Sequence, residues 1–194
     1  MIPGRAALLN YIVIPPLERR RDEWMRDVAD AVRRLQDAGR VRIDDLQHDE
    51  KFIDAVLTAS TAAIRVHDRE KRDALRNAVL NSALPGGPEA VQQQIFLAHI
   101  DRYTGLHLTL LDMFNNPSGW QPKDRRPVSK QNARAFVWSV FPNLREELAQ
   151  GVWADLYHDG FVTTPVIDNG MEGSTVAPRT TPYGRSFLDF VKEP

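Results

Sequence analysis

Apolar residues recur every three or four positions through the first 114 residues, which is the spacing that places them on one face of an α-helix. The pattern predicts four amphipathic helices joined by short connections. Because helices with short connections pack most readily as antiparallel neighbours, we expect residues 1–114 to form a four-helix-type bundle.

Turn-forming and capping residues mark the ends of the predicted helices. Pro15-Pro16 is expected to open the first helix, since proline is favoured in a first turn, and Gly39 is expected to close it. Asp49 and Asp68 are expected to cap the second and third helices, because their carboxylates can accept from the free N–H groups of a first turn.

Two features qualify the third and fourth helices. Asn77 and Asn81 form a polar strip on the third helix, which is either a buried hydrogen-bond network or an exposed polar face. The fourth helix is predicted to run from about residue 89 to 114. Gly105 lies inside it, where glycine costs about 1 kcal/mol relative to alanine, so we expect a kink or a tight contact there.

Residues 115–127 differ from the chain around them. They are rich in proline, asparagine and glycine and poor in aliphatic residues, a composition typical of a linker or a long loop. The predicted organisation is therefore a helical bundle at 1–114, a linker at 115–127 and a second module at 128–194.

A different order of elements follows in residues 143–191. Asn143, with Glu146 three positions later, is expected to cap an amphipathic helix that stops at Gly160. Two short β-like runs, at 161–162 and 175–176, flank a turn at Asp168-Asn169-Gly170, whose Asn-Gly is typical of hairpins. Thr181-Pro182 then begins a terminal helix.

This order of helix, glycine stop, hairpin and terminal helix resembles the second half of a winged-helix domain, and the resemblance covers about the last third of the chain. It implies a mainly α protein in which a small α+β winged-helix-like module follows the bundle. Winged helices mostly bind DNA and sometimes bind proteins. Residues 143–194 hold four basic and eight acidic residues, and such an excess of acid repels phosphate, so protein binding is the better interpretation of this module.

A basic stretch lies just before the winged-helix-like segment. It could bind phosphates or an acidic partner, or it could be a solvated linker and helix start. The basic residues are Lys123, Arg125, Arg126, Lys130 and Arg134, opposed by Asp124. The arginines of the first helix, by contrast, stand four positions from acids, as Arg19 does from Glu23, which predicts a salt-bridged solvent face.

His67 and Asp68 are the best candidates for a metal site. A His-Asp dipeptide resembles part of the site of metal-dependent phosphohydrolases of the HD type, which need further histidines and aspartates from other helices. The alternative is a plain helix boundary, with the histidine near one helix end and the aspartate as the next cap. With no nucleotide-binding or nucleophile motif in the chain, we assign no catalytic residue and expect no cofactor.

Composition indicates the cellular compartment in which this protein is expected. The 194 residues carry a formal net charge of -1 and contain no cysteine, which excludes disulfides, thiolate metal sites and cysteine catalysis. The apolar stretch at residues 6–14 is far shorter than the ~20 residues of a membrane span, and no signal-peptide cleavage pattern follows it. We therefore expect a cytoplasmic protein without membrane association.

Together these features predict a non-enzymatic interaction or adaptor protein that acts through a protein partner or through self-association. One alternative is a nucleic-acid-binding transcriptional regulator that uses the basic stretch. A second alternative is a metal-dependent phosphohydrolase of a helical type.

Overall fold

The computed structural model describes residues 5–120, 132–167 and 176–194, with side chains from residue 13 onward. Within these ranges the chain is mainly α-helical, as predicted. The helices are α1 (Arg5–Asp37), α2 (Ile43–Leu46), α3 (Glu50–Arg65), α4 (Arg69–Ser82), α5 (Ala90–Arg102), α6 (Gly105–Asn115), α7 (Ala133–Val140), α8 (Glu146–His158) and α9 (Pro182–Val191), with a 3₁₀ turn at Pro117–Trp120.

The chain divides into two compact units. The first unit comprises Met1–Arg102 together with Phe190–Pro194, and the second comprises Tyr103–Asp189. α6 belongs to the second unit, although its sequence reads as a continuation of the bundle. The predicted domains at 1–114, 115–127 and 128–194 stay a prediction, and residues 121–131 lie outside the described ranges.

In the first unit, α3 packs against α1, α4 and α5. Its inward face is built from alanines, of which Ala55 and Ala59 are fully buried, so the neighbouring helices can approach closely. Trp24, Val28 and Leu35 are the larger side chains that α1 buries. Asp49 and Asp68 cap α3 and α4 as predicted, since their carboxylates accept from backbone N–H groups of the first turns.

The predicted start of α1 is wrong. The helix begins at Arg5, and Pro15 and Pro16 both lie inside it. Proline lacks an N–H, so the carbonyls of Tyr11 and Ile12 lose their usual intrahelical donors. The fixed φ of proline is nevertheless helical, and the chain continues as helix through both residues. Gly39 ends α1 in the left-handed region, as expected of a helix stop.

The predicted fourth helix is two helices, α5 and α6, separated by Tyr103 and Thr104. The break stands next to Gly105, where the sequence predicts a kink. Thr104 is the N-cap of α6, and its backbone N–H donates to Nδ1 of His107 at 3.1 Å. This capping box satisfies free donors of the first turn and fixes the new helix start.

Aromatic rings form the core of the second unit. Phe114 meets Trp153 edge to face at 4.6 Å, and Phe161 stacks on Phe187 at 4.7 Å. Tyr103 lies edge-on to Phe161, with ring centroids 5.9 Å apart. All five side chains are fully or nearly fully buried, so these rings supply much of the apolar area that stabilises this unit.

An α+β winged-helix module is not supported. Among the described residues there is no β-strand. The predicted run at 161–162 forms only a single antiparallel bridge, between Val162 and Thr180, and Thr180 lies beyond the second predicted run at 175–176. The predicted turn at Asp168-Asn169-Gly170 and residue 175 lie outside the described ranges.

Competing hydrogen bonds explain why no strand ladder extends from the bridge. The N–H of Arg179 donates to the carbonyl of Phe114 at 2.9 Å, away from the neighbouring run. On the other side, the amide of Gln150 pairs with both the N–H and the carbonyl of Ile167, at 3.1 and 3.0 Å. Trp153 donates to the carbonyl of Thr164. Beyond the two bonds of the bridge, which the N–H groups of Thr163 and Thr181 donate, these neighbouring backbone groups are thus bound to helices.

The start of α8 also differs from the prediction. Its N-cap is Arg145, with no side-chain cap bond, and Asn143 lies two positions before it. The indole N–H of Trp138 donates to the carbonyl of Leu144 at 2.9 Å, which holds this segment as a turn and delays the helix. The end of α8 is as predicted: Gly160 has φ +78 and forms the left-handed stop.

Candidate functional site

The basic stretch lies mostly outside the described ranges. Lys123, Arg125, Arg126 and Lys130 belong to residues 121–131, so their role stays a prediction. Arg134 is described, in α7. Its guanidinium forms a bidentate ion pair with Glu146 and lies 5.3 Å above the ring of Trp138. Because both ends of its fork are engaged within the second unit, Arg134 is poorly placed to bind a phosphate.

His67 and Asp68 do not form a metal site with other residues in the described part of the chain. Asp68 accepts from the N–H groups of Glu70 and Lys71, at 2.9 and 3.4 Å, and so serves as the cap of α4. His67 is exposed, and the guanidinium of Arg20 lies 3.2 Å from its Nδ1. Within the described ranges, no group of three or more metal-binding side chains comes together.

A hydroxyl, an imidazole and a carboxylate stand in series in the second unit, an arrangement that nucleophilic catalysis also uses. Thr104 Oγ1 lies 2.9 Å from His107 Nδ1, and His107 Nε2 lies 3.4 Å from the carboxylate of Asp155. The same Nδ1 accepts the N–H of Thr104, and the buried ring stacks on Tyr103 at 4.5 Å. The series therefore has a structural explanation, as the cap of α6.

Lys71 is a buried lysine that the sequence pattern does not single out. Burial lowers the pKa of its amine, and the nearby carboxylate of Asp101 acts against that shift. Its Nζ donates to the backbone carbonyl of Asp101 at 2.5 Å, in the last turn of α5. A cation at this position stabilises the C-terminal end of a helix. Lys71 therefore holds α5 in place and presents no free amine.

A polar groove of about 410 Å³ lies between α1, the start of α4 and the connection before it, within the first unit. We call it the arginine groove. Four guanidiniums, three carboxylates and one imidazole surround it, with an indole among them. Its lining residues are Trp24, Asp27, Asp30, Arg34, His67, Arg69, Arg72, Asp73 and Arg76.

Each ion pair of the arginine groove has a single N···O contact, and most of these contacts are long. Arg72 stands 3.6 Å from Asp27, while Arg69 and Arg76 share Asp73 at 3.8 and 3.1 Å. A guanidinium has five N–H donors in a planar fork, so each arginine keeps donors that these carboxylates do not use. The groove therefore has hydrogen-bonding capacity for a further anion.

A second groove in the first unit is almost wholly apolar. It has a volume of about 300 Å³ and lies between α1, α2 and α3. We call it the apolar groove. Its lining residues are Val32, Ile43, Leu46, Gln47, Phe52, Ile53, Val56 and Leu57. Ile43 and Leu57 are exposed, and Leu57 presents 63% of its surface to solvent. Apolar side chains gathered at one open concave site mark an interaction surface more often than isolated exposed ones do.

The N-terminal part of α1 is also apolar and exposed. Val13, Ile14 and Leu17 present between 36% and 44% of their surface to solvent, and the first buried side chain in the described part of α1 is Trp24. We call residues 13–20 the α1 arm. Its apolar positions stand seven, ten and eleven residues before Trp24, so they continue the stripe that α1 buries farther along.

The sequence contains a signal for the arginine groove but none for the apolar groove. Arg69, Arg72 and Arg76 are spaced by three and four, which places them on one face of α4. Ile43 and Leu46 lie in a short helix that the sequence pattern does not predict, so the apolar groove is visible in the fold alone.

Over the described residues, no helix combines the length and the hydrophobicity that a bilayer span requires. Neither a scan against protein-family models nor searches of curated proteins and of solved structures gave a match to this chain.

Proposed function

We propose that this protein acts through protein–protein contacts and that its apolar groove is the contact surface, occupied by the α1 arm of a second copy of the chain. The observation that carries the proposal is the apolar groove itself, a concave site of about 300 Å³ with exposed Ile43 and Leu57 at its surface. Moving apolar surface from water into such a groove contributes roughly 25 cal/mol for each Å² buried.

The chain itself carries a segment suited to this groove. The α1 arm is a helix with an apolar face at Val13, Ile14 and Leu17, and helix-in-groove binding uses side chains at such spacings as its anchors. Both surfaces belong to the first unit, so every copy carries one arm and one groove. A two-fold dimer would form the same contact twice, as closed symmetric dimers do.

Charge around the two surfaces favours the same occupant. Basic residues follow the apolar positions of the α1 arm, and Arg21 forms no ion pair with any described residue. Asp44 lies beside Ile43 on α2, and Asp54 lies one turn before Leu57 on α3. Neither aspartate has an ion-pair partner among the described residues. The basic end of the α1 arm therefore approaches a groove with an acidic border, which speeds association and favours one orientation.

The direct test is the association state of the purified protein across a concentration series, measured by sedimentation or light scattering. Wild type should form dimers as concentration rises. Leu57→Asp in the groove and Leu17→Asp in the arm should each weaken association by about tenfold or more, because each buries a charge in an apolar contact. Leu148→Asp is the matched control, since Leu148 is an exposed leucine on α8 of the second unit. It should leave association unchanged.

Cysteine cross-linking then tests the identity of the occupant. The chain has no cysteine, so each introduced thiol is the sole thiol of its copy. A mixture of Leu17→Cys and Leu57→Cys proteins should give the mixed disulfide dimer in preference to a mixture of Leu17→Cys and Leu148→Cys. A wild-type protein that remains monomeric at every concentration would overturn self-association. If both aspartate variants form the dimer as readily as wild type, the contact lies elsewhere.

A further inference from the structure

The arginine groove carries an inference that is independent of the apolar contact. We propose that it binds a small molecule bearing a chain of two or more phosphate groups, such as a nucleoside triphosphate or a linear polyphosphate. Its volume of about 410 Å³ lies within the range of small-ligand sites.

The first reason is an imbalance of charge. Arg69 and Arg76 share the single carboxylate of Asp73, so one acid serves two guanidiniums. Arg34 forms no ion pair with any described residue, and Asp30 is paired outside the groove with Arg33 at 4.0 Å. Arg20 lies next to the lining residue His67 and adds a further cation at the border. The groove thus holds more positive charge than its own carboxylates neutralise.

The second reason is the state of the arginines on α4. The side chains of Arg72 and Arg76 are only 29% and 28% exposed to solvent, whereas that of Arg69 is 94% exposed. Half-buried guanidiniums are partly desolvated and already restricted in their rotamers, so binding an anion costs them less entropy. Arg69 and Arg34 are exposed and free to close over a ligand from the groove border.

The third reason selects a phosphate chain over a single anion. Asp27 and Asp73 compete for the same donors at 3.1 to 3.8 Å, so a ligand must offer more charge and more acceptor oxygens than one carboxylate does. A triphosphate carries several charges on a chain that can reach successive guanidiniums. The guanidinium group of arginine also binds phosphate in a bidentate manner.

The lining of the arginine groove also predicts that a nucleobase is not recognised. Trp24 is buried, and its indole N–H donates to Ser60 at 2.8 Å, so it offers no open ring face for stacking a base. Recognition should therefore rest on the phosphates, and ATP, GTP and unsubstituted tripolyphosphate should bind with similar affinities. This similarity separates the proposal from a site that reads a nucleobase.

The test is calorimetric titration of the full chain with tripolyphosphate, ATP, GTP and inorganic phosphate. The three triphosphates should bind with similar affinity and inorganic phosphate at least about tenfold more weakly. Arg72→Gln/Arg76→Gln should weaken triphosphate binding by about tenfold or more. The matched control is Arg40→Gln/Arg42→Gln, which removes the same charge from two exposed arginines of the first unit that do not line the groove, and it should have less than about a twofold effect.

A variant with the opposite sign excludes a merely structural effect. Asp73→Asn removes the carboxylate that Arg69 and Arg76 share, and it should tighten triphosphate binding by several-fold. If Arg72→Gln/Arg76→Gln does not fold, as judged by circular dichroism, Arg34→Gln takes its place, since Arg34 is exposed. The proposal is overturned if wild type shows no triphosphate binding, if the control pair weakens binding as much as the groove pair, or if Asp73→Asn weakens it.

Discussion

The side-chain amide of Asn77 donates a hydrogen bond to the backbone carbonyl of Val191 at 3.0 Å, although 114 positions separate the two residues. One turn later on α4, Asn81 donates to the carbonyls of Phe190 and Lys192, at 2.9 and 2.8 Å. The last carbonyls of a helix have no intrahelical donors, so these two asparagines satisfy the end of α9. The polar strip on the third predicted helix is therefore a hydrogen-bond network within the first unit, buried at Asn77 and partly exposed at Asn81.

Replacing either asparagine should detach the end of the chain. Asn77→Ala is expected to lower the free energy of unfolding by about 1–3 kcal/mol, because it leaves a buried carbonyl without a donor. Urea denaturation measures the change. Asn143→Ala is the control, since Asn143 is exposed and is not the cap of α8, and it should change stability by less than about 0.5 kcal/mol. Equal losses in the two variants would contradict the network.

Two glycines should respond to alanine in opposite directions. A Cβ at Gly184, in α9, would stand 2.4 Å from the carbonyl oxygen of Phe161, so Gly184→Ala should destabilise the protein by about 1–3 kcal/mol. A Cβ at Gly151, in α8, would meet nothing within 4 Å. Gly151→Ala should therefore raise the free energy of unfolding by about 0.5–1 kcal/mol, since alanine is the better helix former. Thermal unfolding of both variants tests the pair, and a tolerated Gly184→Ala would contradict this packing.

Stability should fall at alkaline pH through Tyr183. Burial raises the pKa of its phenol above the ordinary value of ~10, and the carboxylate of Asp159 adds to the shift. Between ~10 and the raised pKa, the folded state holds a proton that the unfolded state has lost, so the free energy of unfolding decreases as pH rises through this window. Below ~10 the contribution is fully present.

Tyr183→Phe should remove this part of the alkaline loss. Urea denaturation of wild type and variant at pH values from 8 to about 11 measures it, and ultraviolet titration follows the phenol directly. Tyr157→Phe, which removes an exposed phenol from α8, is the control. A variant with the same alkaline slope as wild type would show that Tyr183 does not cause the loss.

Duplex DNA should bind weakly, in keeping with the formal net charge of -1. If any binding is measured at low salt, neutralising Lys123, Arg125, Arg126 and Lys130 together should abolish it. Arg134→Gln should have no effect on binding, because its guanidinium is engaged by Glu146. Fluorescence anisotropy at two salt concentrations measures both effects. Tight, strongly salt-dependent binding would favour the transcriptional regulator over a protein-binding role.

The capping residues show how far local chemistry carries a prediction. Asp49 and Asp68 cap their helices and Gly160 ends α8, because each acts on backbone groups within three or four positions of itself. Thr181 likewise accepts from the N–H of Gly184 at 2.9 Å at the start of α9, as Thr181-Pro182 predicts. A carboxylate, a hydroxyl or a flexible glycine needs no distant partner for these roles.

Two predictions made from local patterns, the paired β-like runs and the Asn143 cap, were wrong. The β-like run at 161–162 and the segment before α9 lack a ladder, because Phe114 and Gln150, remote in sequence, take the backbone groups that a hairpin would use. Asn143 fails as a cap because Trp138 holds the turn at Leu144. In each case a hydrogen bond with a group of another helix outweighs the local pattern.

The same contrast applies to the candidate sites. Short-range spacing is enough to place Arg69, Arg72 and Arg76 on one face of α4, and to show that Asp68 has a capping role beside any metal hypothesis. It is not enough to show which carboxylates face those arginines or that α2 completes an apolar groove with α3. Helix type, helix ends and facial charge follow from neighbours along the chain. Grooves, paired charges and the capped end of α9 arise from side chains far apart in sequence, whose encounter is decided by packing in three dimensions.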